Sequence, residues 1–189
     1  VFSRKYKLLG FNQEMNLRSI EITTRVISKD YRVNNEIATK TLKLPSDSEL
    51  CILGRVRYFK EFPIIYQKSF MAPGFKSLIQ DYQETDSLYE TINKHTGQTI
   101  MTWKEIFRPI LLNDQQAINL GGKEGECAVE ALRCTYTSNR VPILYDEAIL
   151  SNRHIVVTTE KSGNFSHMSY QIYDEAITDP FTYLRSFVE

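Results

Sequence analysis

An internal repeat is the feature that most constrains what this chain can fold into. Residues 126–150, ECAVEALRCTYTSNRVPILYDEAIL, repeat the architecture of residues 50–71, and an alignment without gaps places Arg133 of the second copy on Arg57 of the first. A short alanine-containing helical pattern precedes each copy, and each copy has a turn followed by Pro-Ile and a tyrosine. The sequence therefore predicts a duplicated helix–strand–hairpin unit.

Hairpins combined with short helices predict an antiparallel sheet with the helices gathered on one side, which is an α+β fold. Alternating β-branched residues indicate the strands, and polar caps with Gly or Pro stops indicate the helices. Outside the second copy, the predicted strands cover residues 19–28, 50–59, 63–71 and 99–110. The predicted helices cover residues 34–44, 87–97 and 113–120.

Composition limits the classes of protein that this chain can be. With 189 residues, 42% of them hydrophobic, it can bury the core of a single domain over residues 1–189. Lys and Arg number 23, as do Asp and Glu, so the zero net charge argues against direct binding to a nucleic-acid backbone. Three cysteines without CxxC spacing and three scattered histidines indicate neither disulfides nor a metal site, and no cofactor is implied. The cysteine usage favours a reducing, cytoplasmic setting. No segment approaches the roughly 18 apolar residues of a membrane span, so we expect no membrane partner.

Two arginines on one predicted strand mark the candidate site. Arg55 and Arg57 are two positions apart, so their side chains leave the same face of the strand, about 6.5–7 Å apart. The second copy has Ala131 where the first has Arg55. A doubled charge in one copy favours a functional site, and a solvated sheet face remains the alternative.

Several short motifs follow one another in an order that resembles a known family. These motifs are Leu9–Met15, Arg55-Val56-Arg57, Pro63-Ile64-Ile65-Tyr66, Ser87-Leu88-Tyr89, a helix that ends at Gly97, and Ala117 to Gly121. Each is weak alone, but their order and spacing over residues 8–157 resemble the UTRA domain. That domain is the effector-binding domain of GntR-type transcriptional regulators of the HutC branch. Residues 158–189 have no counterpart in the resemblance and are expected to be a C-terminal extension.

The resemblance implies a fold, partners and a domain organisation. UTRA domains resemble chorismate lyase in fold, sense small metabolites, often sugar phosphates, and act on a winged helix-turn-helix domain that precedes them. We therefore expect this chain to be the sensor half of a bacterial repressor whose DNA-binding domain is absent from residues 1–189. We also expect a homodimer that contacts DNA only through that domain.

The resemblance also implies which residues bind the phosphate. They are Arg55, Arg57, Ser87 and Tyr89, and the assignment agrees with the strength of arginine–phosphate hydrogen bonds and with the dipole at a helix start. Ser87 can equally act only as the cap of its helix, and Tyr89 only as a core ring.

Gln67 and Asp146 complete the candidate ligand-binding set. Gln67 stands where relatives have a glutamate, whereas Leu144 and Leu150 stand where they have a glutamate and a tyrosine, so we expect a less polar pocket. Asp146 is a candidate acceptor for ligand hydroxyl groups. Arg133, the single arginine of the second copy, is expected to contribute little to anion binding.

Two other functions stay open at this point. The chorismate lyase fold also supports an elimination reaction, so an enzyme is the main alternative. Against it, the sequence predicts no acid or base close to the arginines, and we expect a binding domain without catalytic residues. A domain that only dimerises is the second alternative.

Overall fold

The computed structural model describes residues 9–174, whose main element is a six-stranded antiparallel sheet. Its strands are β1 Ile22–Val33, β2 Leu50–Phe59, β3 Phe62–Met71, β4 Ile100–Leu111, β5 Cys127–Thr137 and β6 Pro142–Leu150. The accompanying helices are α1 Phe11–Leu17, α2 Glu36–Thr41, α3 Lys76–Asp81, α4 Leu88–Thr96 and α5 Asp114–Leu120, with a 3₁₀ turn at Pro73–Phe75. The predicted antiparallel α+β fold is confirmed.

The strands of this sheet have the order β1-β2-β3-β6-β5-β4. The sheet is formed by two copies of one β-α-β-β unit that are joined side by side. β3 and β6 meet at the join, where Gln67 pairs with Ala148. On their other sides, Gln67 pairs with Arg55 and Ala148 pairs with Ala131, the residue that the repeat aligns with Arg55. The strand register therefore agrees with the predicted duplication, because Arg55 and Ala131, which the repeat aligns, lie in equivalent positions on either side of the Gln67–Ala148 pair.

The helices cover both faces of the sheet, so the prediction that they gather on one side is wrong. We define the front face as the one to which Cys51, Leu53, Arg55 and Arg57 of β2 point. α3 and α4 pack on the front face against the first two of these, whereas α2 and α5 pack on the back face. The reason is visible in β2, where residues 50–57 are all buried. A strand buried on both faces needs cover on both.

Caps and stops place the helices near their predicted bounds. Ser87 caps α4, which ends at Gly97 with a φ of 66°, and Asn113 caps α5, which ends at Gly121 with a φ of 61°. Glycine suits both ends because it has no Cβ atom and adopts a left-handed backbone conformation without a steric cost. The short helices α1 and α3 were not predicted.

A second, two-stranded sheet follows the main one and was also not predicted. It consists of β7 Ile155–Ser162 and β8 Phe165–Ile172. Ile155 and Tyr170 of this hairpin pack in one cluster with Met15 of α1. Residues 1–8 and 175–189 lie outside the described residues. They contain the expected start of the core at residue 8 and the end of the expected C-terminal extension. Within residues 9–174, no helix has the length and apolar character to cross a bilayer.

Candidate functional site

A cavity of about 590 Å³ lies between the front face of the sheet and the segments α1, 82–90 and β8. Its lining includes all six residues predicted for the ligand site, namely Arg55, Arg57, Gln67, Ser87, Tyr89 and Asp146. The floor between the two copies carries Ala131 and Ala148, whose small side chains leave room above the sheet. Small-molecule sites usually have about 300–1,000 Å³, so this cavity has the size of such a site.

Arg55 is buried in the cavity wall, where its direct hydrogen-bond partners are neutral. It is 3% exposed, and its Nη2 donates to Ser69 Oγ at 2.7 Å while its Nη1 donates to Tyr82 Oη at 3.3 Å. Its Nε is buried without a hydrogen-bond partner. Within the described part of the chain, no carboxylate forms an ion pair with this guanidinium.

Arg57 lies beside it and is held by neutral groups. Its Nε donates to Asn12 Oδ1 at 3.1 Å, its Nη1 donates to Gln67 Oε1, and its guanidinium stacks 5.3 Å from the Phe11 ring centre. Burial, and then the neighbouring charge of Arg55, lowers the pKa of Arg57 to about 9, which leaves it charged at neutral pH. Among residues 9–174 it too has no ion-pair partner.

Asp146 connects to both arginines through neutral side chains. Its Oδ1 accepts from Gln67 Nε2 at 2.7 Å and from Ser69 Oγ at 2.5 Å, and these two side chains in turn accept from Arg57 and Arg55. The prediction that no acid lies near the arginines is therefore wrong. The error arose because Asp146 is distant in sequence and reaches β2 only through the β3–β6 pairing.

The start of α4 faces the same cavity. Ser87 is its N-cap, with Oγ accepting from the backbone N–H of Glu90 at 3.5 Å, so the capping role is present. Tyr89 is 7% exposed and its hydroxyl lies 3.3 Å from Thr135 Oγ1, so it is both a core ring and part of the cavity lining. The N-terminal N–H groups of this helix add partial positive charge to this end of the site.

Acidic side chains on the segment before and inside α4 also line the cavity, but they lie at its rim. Glu84 and Asp86 are exposed, and Glu90 is half-buried. Glu84 Oε1 accepts from the backbone N–H of Val26 at 2.8 Å, and Asp86 Oδ2 accepts from that of Gln83 at 2.8 Å. Because water screens exposed charges, these carboxylates offset the buried arginines only weakly.

The part of the cavity lining on β4, β5 and β8 contains a cluster that the sequence did not predict. Arg133 Nε donates to Glu105 Oε1 at 2.8 Å, and its Nη2 donates to Tyr170 Oη at 3.1 Å. Tyr170 Oη donates in turn to Glu105 Oε2 at 3.4 Å, and the Arg133 guanidinium lies 4.7 Å from the Trp103 ring centre. Burial alone would lower the pKa of Arg133, but Tyr89, Tyr170 and Glu105 together raise it above its ordinary value.

Sequence signals existed for part of this cluster. Arg133 aligns with Arg57 in the repeat, and it pairs directly with the cavity-lining residue Asp146, so its side chain lies on the front face and lines the cavity with the predicted residues. Leu144 and Leu150 also line it, as the prediction of a less polar pocket requires. Tyr170 belongs to the unplaced C-terminal region and gave no signal.

An antiparallel sheet with helices on both faces and a polar cavity on one of them is typical of a domain that binds a small molecule. The chain belongs to the UTRA domain family, whose sequence model matches residues 17–155. The resemblance inferred from the motifs is confirmed, although β8 and nearly all of β7 lie beyond the matched residues.

Similar proteins include transcriptional regulators. The chain is 25% identical to the HTH-type transcriptional regulator YydK of Bacillus subtilis, over 90% of this chain and 66% of that protein. The structure of YydK superposes with a TM-score of 0.62 at 22% identity, covering 79% of this chain and 65% of YydK. The effector domain of PhnF from Mycobacterium smegmatis gives 0.68 at 15% identity, covering 76% of this chain and 91% of that domain. A GntR-family transcriptional regulator from Enterococcus faecalis gives 0.59 at 21% identity, covering 68% and 92%. This chain therefore spans just under two thirds of the length of YydK.

Proposed function

We propose that this domain binds a small anionic metabolite, with sugar phosphates as the class that fits best, and that the bound ligand controls operator binding by a DNA-binding domain of the complete regulator. The observation that carries the proposal is the pair of buried arginines on β2, Arg55 and Arg57, neither of which forms a direct ion pair with a described carboxylate. Asp146 reaches them only through neutral side chains, so one carboxylate stands near two cations.

The energetics of burial support an anionic ligand. Two buried cations with no direct ion pair cost free energy, and a phosphate bound between the two guanidinium groups would recover it through charge-assisted hydrogen bonds. The buried Nε of Arg55 is a donor that such a ligand would satisfy. The pKa of Arg57 is lowered for the same reason, because burial and the charge of Arg55 disfavour its charged form. A bound anion would remove this cost.

Ser87 and Tyr89 extend the proposed phosphate site from the sheet to the start of α4. The hydroxyl of Ser87 and the first N–H groups of a nine-residue helix favour an anion at this position. Gln67 and Asp146 then lie on the side of the arginines that faces the second copy, where they can bond to ligand hydroxyl groups.

The regulatory part of the proposal rests on family membership. YydK is a regulator of the HTH type, and this chain matches 66% of it. We therefore propose that the complete protein, like YydK, has a DNA-binding domain as well. We also propose that the complete protein is a homodimeric repressor of the HutC branch that acts in the cytoplasm. The outer edge of β4, a strand of twelve residues that exposes Ile106 and Leu111, is a surface on which a second copy could pair. A monomeric mass in sedimentation at tens of micromolar would contradict the dimer.

An enzyme remains the second candidate because Asp146 and Glu105 line the same cavity as the arginines. Both carboxylates already accept hydrogen bonds from side chains of the protein, which favours structural and binding roles. Incubation with chorismate tests the candidate directly. Formation of 4-hydroxybenzoate above the uncatalysed rate would support an enzyme.

Thermal unfolding with matched ligands tests the binding proposal. Inorganic phosphate and hexose 6-phosphates should stabilise the protein, whereas the corresponding neutral hexoses should not. A ligand at a hundredfold excess over its dissociation constant adds about 2.7 kcal/mol to the free energy of unfolding. Equal stabilisation by a hexose and its phosphate, or none by any anion, would contradict the proposal.

A further inference from the structure

The cluster of Glu105, Arg133 and Tyr170 has a composition that differs from that of the arginine pair. One cation and one anion are in direct contact, and a tyrosine hydroxyl connects them, so the cluster is neutral overall. The Glu105 side chain is 3% exposed and Tyr170 is 5% exposed, yet all three residues line the cavity. A second anion placed here would meet an arginine whose charge is already balanced.

The cluster retains hydrogen-bonding capacity toward the cavity. The contacts of Arg133 use Nε and Nη2, and within the described residues its Nη1 has no hydrogen-bond partner. Nη1 is also not among the buried polar atoms that lack a partner, so it is accessible. Each carboxylate oxygen of Glu105 accepts one bond and can accept a second. Such a set of donors and acceptors suits hydroxyl groups.

The strands that carry Arg55 and Arg133 are separated by a floor with small side chains. β2 and β5 are three strand spacings apart in the sheet, which corresponds to about 14 Å between their backbones. In one row of directly paired residues across β2, β3, β6 and β5, Arg55 and Gln67 are followed by Ala148 and Ala131. A ligand with its phosphate at the arginines can therefore lie across these alanines and reach the cluster.

We propose that Glu105, Arg133 and Tyr170 form a second, charge-neutral subsite that binds the hydroxyl groups of a ligand whose single anionic group lies at Arg55 and Arg57. The inference rests on the proposed function and specifies its ligand as a monophosphate with a hydroxylated tail. It also makes the β7–β8 hairpin part of the binding site, through a residue beyond the segment that matches the family.

Calorimetric titration of the whole chain with three probes tests this subsite. Inorganic phosphate reports on the arginine pair alone, a panel of hexose and hexitol 6-phosphates reports on both ends, and hexose 1,6-bisphosphates test for a second anion site. We expect at least one 6-phosphate to bind about tenfold or more tightly than inorganic phosphate. We expect the bisphosphates to bind more weakly than that monophosphate.

Tyr170→Phe separates binding from structural support because it keeps the ring and removes only the hydroxyl. It should weaken binding of the best 6-phosphate by about two- to tenfold, the value of one hydrogen bond, and leave the affinity for inorganic phosphate unchanged. Tyr136→Phe on β5 of the main sheet, outside the cavity lining, is the matched control and should change neither affinity.

Four results would overturn the inference. They are equal affinities for inorganic phosphate and every 6-phosphate, tighter binding of a bisphosphate, equal losses for both probes in Tyr170→Phe, and no loss for either. If inorganic phosphate and all esters fail to bind the wild-type chain, the proposed function fails and the inference fails with it. If inorganic phosphate binds while the subsite results fail, only the inference is overturned.

Discussion

The two copies of the β-α-β-β unit have the same strand pairing but differ in the partners of their buried arginines. In the first copy, Arg55 and Arg57 are buried with neutral partners. In the second, alanine replaces the first arginine, and Arg133 is paired with Glu105. The backbone framework therefore does not define the site. The balance of side-chain charge does, and it predicts that the two arginine positions respond differently to the same substitution.

The largest difference should appear in stability. Arg133→Met would leave the Glu105 carboxylate, 3% exposed, without its cation, so we expect the free energy of unfolding to fall by about 3 kcal/mol. Arg57→Met removes a buried charge that has no ion-pair partner, so we expect a change within about 1 kcal/mol. Urea unfolding of both variants measures this comparison. Equal losses would show that the two arginines have the same structural role.

Ligand affinity should show the reverse order. Arg57→Ala should weaken phosphate binding by about 10–100-fold, equivalent to roughly 1.5–3 kcal/mol for a charged hydrogen bond. Arg133→Gln should change it only a few-fold, because the charge of Arg133 is already balanced. Titration calorimetry with inorganic phosphate gives both values.

The control for this comparison is Arg108→Ala on β4. Arg108 is ion-paired with Glu130 and lies outside the cavity lining, so its loss should leave phosphate affinity unchanged. If Arg57→Ala behaves like Arg108→Ala, the first copy does not contain the anion site.

The pH dependence of sulfate binding should show the lowered pKa of Arg57. Sulfate keeps its charge across the range and binds the protonated guanidinium, so affinity should be nearly full at about pH 8 and fall as the pH rises through about 9. We expect roughly tenfold weaker binding at pH 10 than at pH 8, because about nine tenths of the unliganded Arg57 would then be neutral. Arg57→Ala should abolish this dependence. Constant affinity across the range in the wild-type protein would place sulfate elsewhere.

Ser87 should show a smaller effect that separates capping from binding. Ser87→Ala removes the N-cap of α4 at a cost of about 1 kcal/mol and should also weaken phosphate binding a few-fold. Asn113→Ala removes the corresponding cap of α5 on the back face, with a similar loss of stability and no change in affinity. Unchanged phosphate affinity in Ser87→Ala would leave Ser87 with the capping role alone.

Strand alternation and the repeat made much of the first copy predictable from sequence. Because Arg55 and Arg57 are two positions apart, they were predicted to lie on one face of the strand. The cap pattern predicted that Ser87 stands at the start of a helix. The registers between distant strands were not predictable, because they depend on tertiary packing. For that reason Asp146 was expected near the ligand but not in a network with the arginines. Tyr170 was missed because its hairpin has no local pattern that indicates contact with the cavity.

The position of a bound anion in a crystal structure would test the central claim most directly. Selenate is isosteric with sulfate and scatters anomalously, so crystals grown with it would locate the anion without reference to affinity. The charge balance of the two copies predicts an anomalous peak between the guanidinium groups of Arg55 and Arg57, close to the start of α4. A peak at Arg133 with none at the arginine pair, or peaks confined to the protein surface, would contradict it.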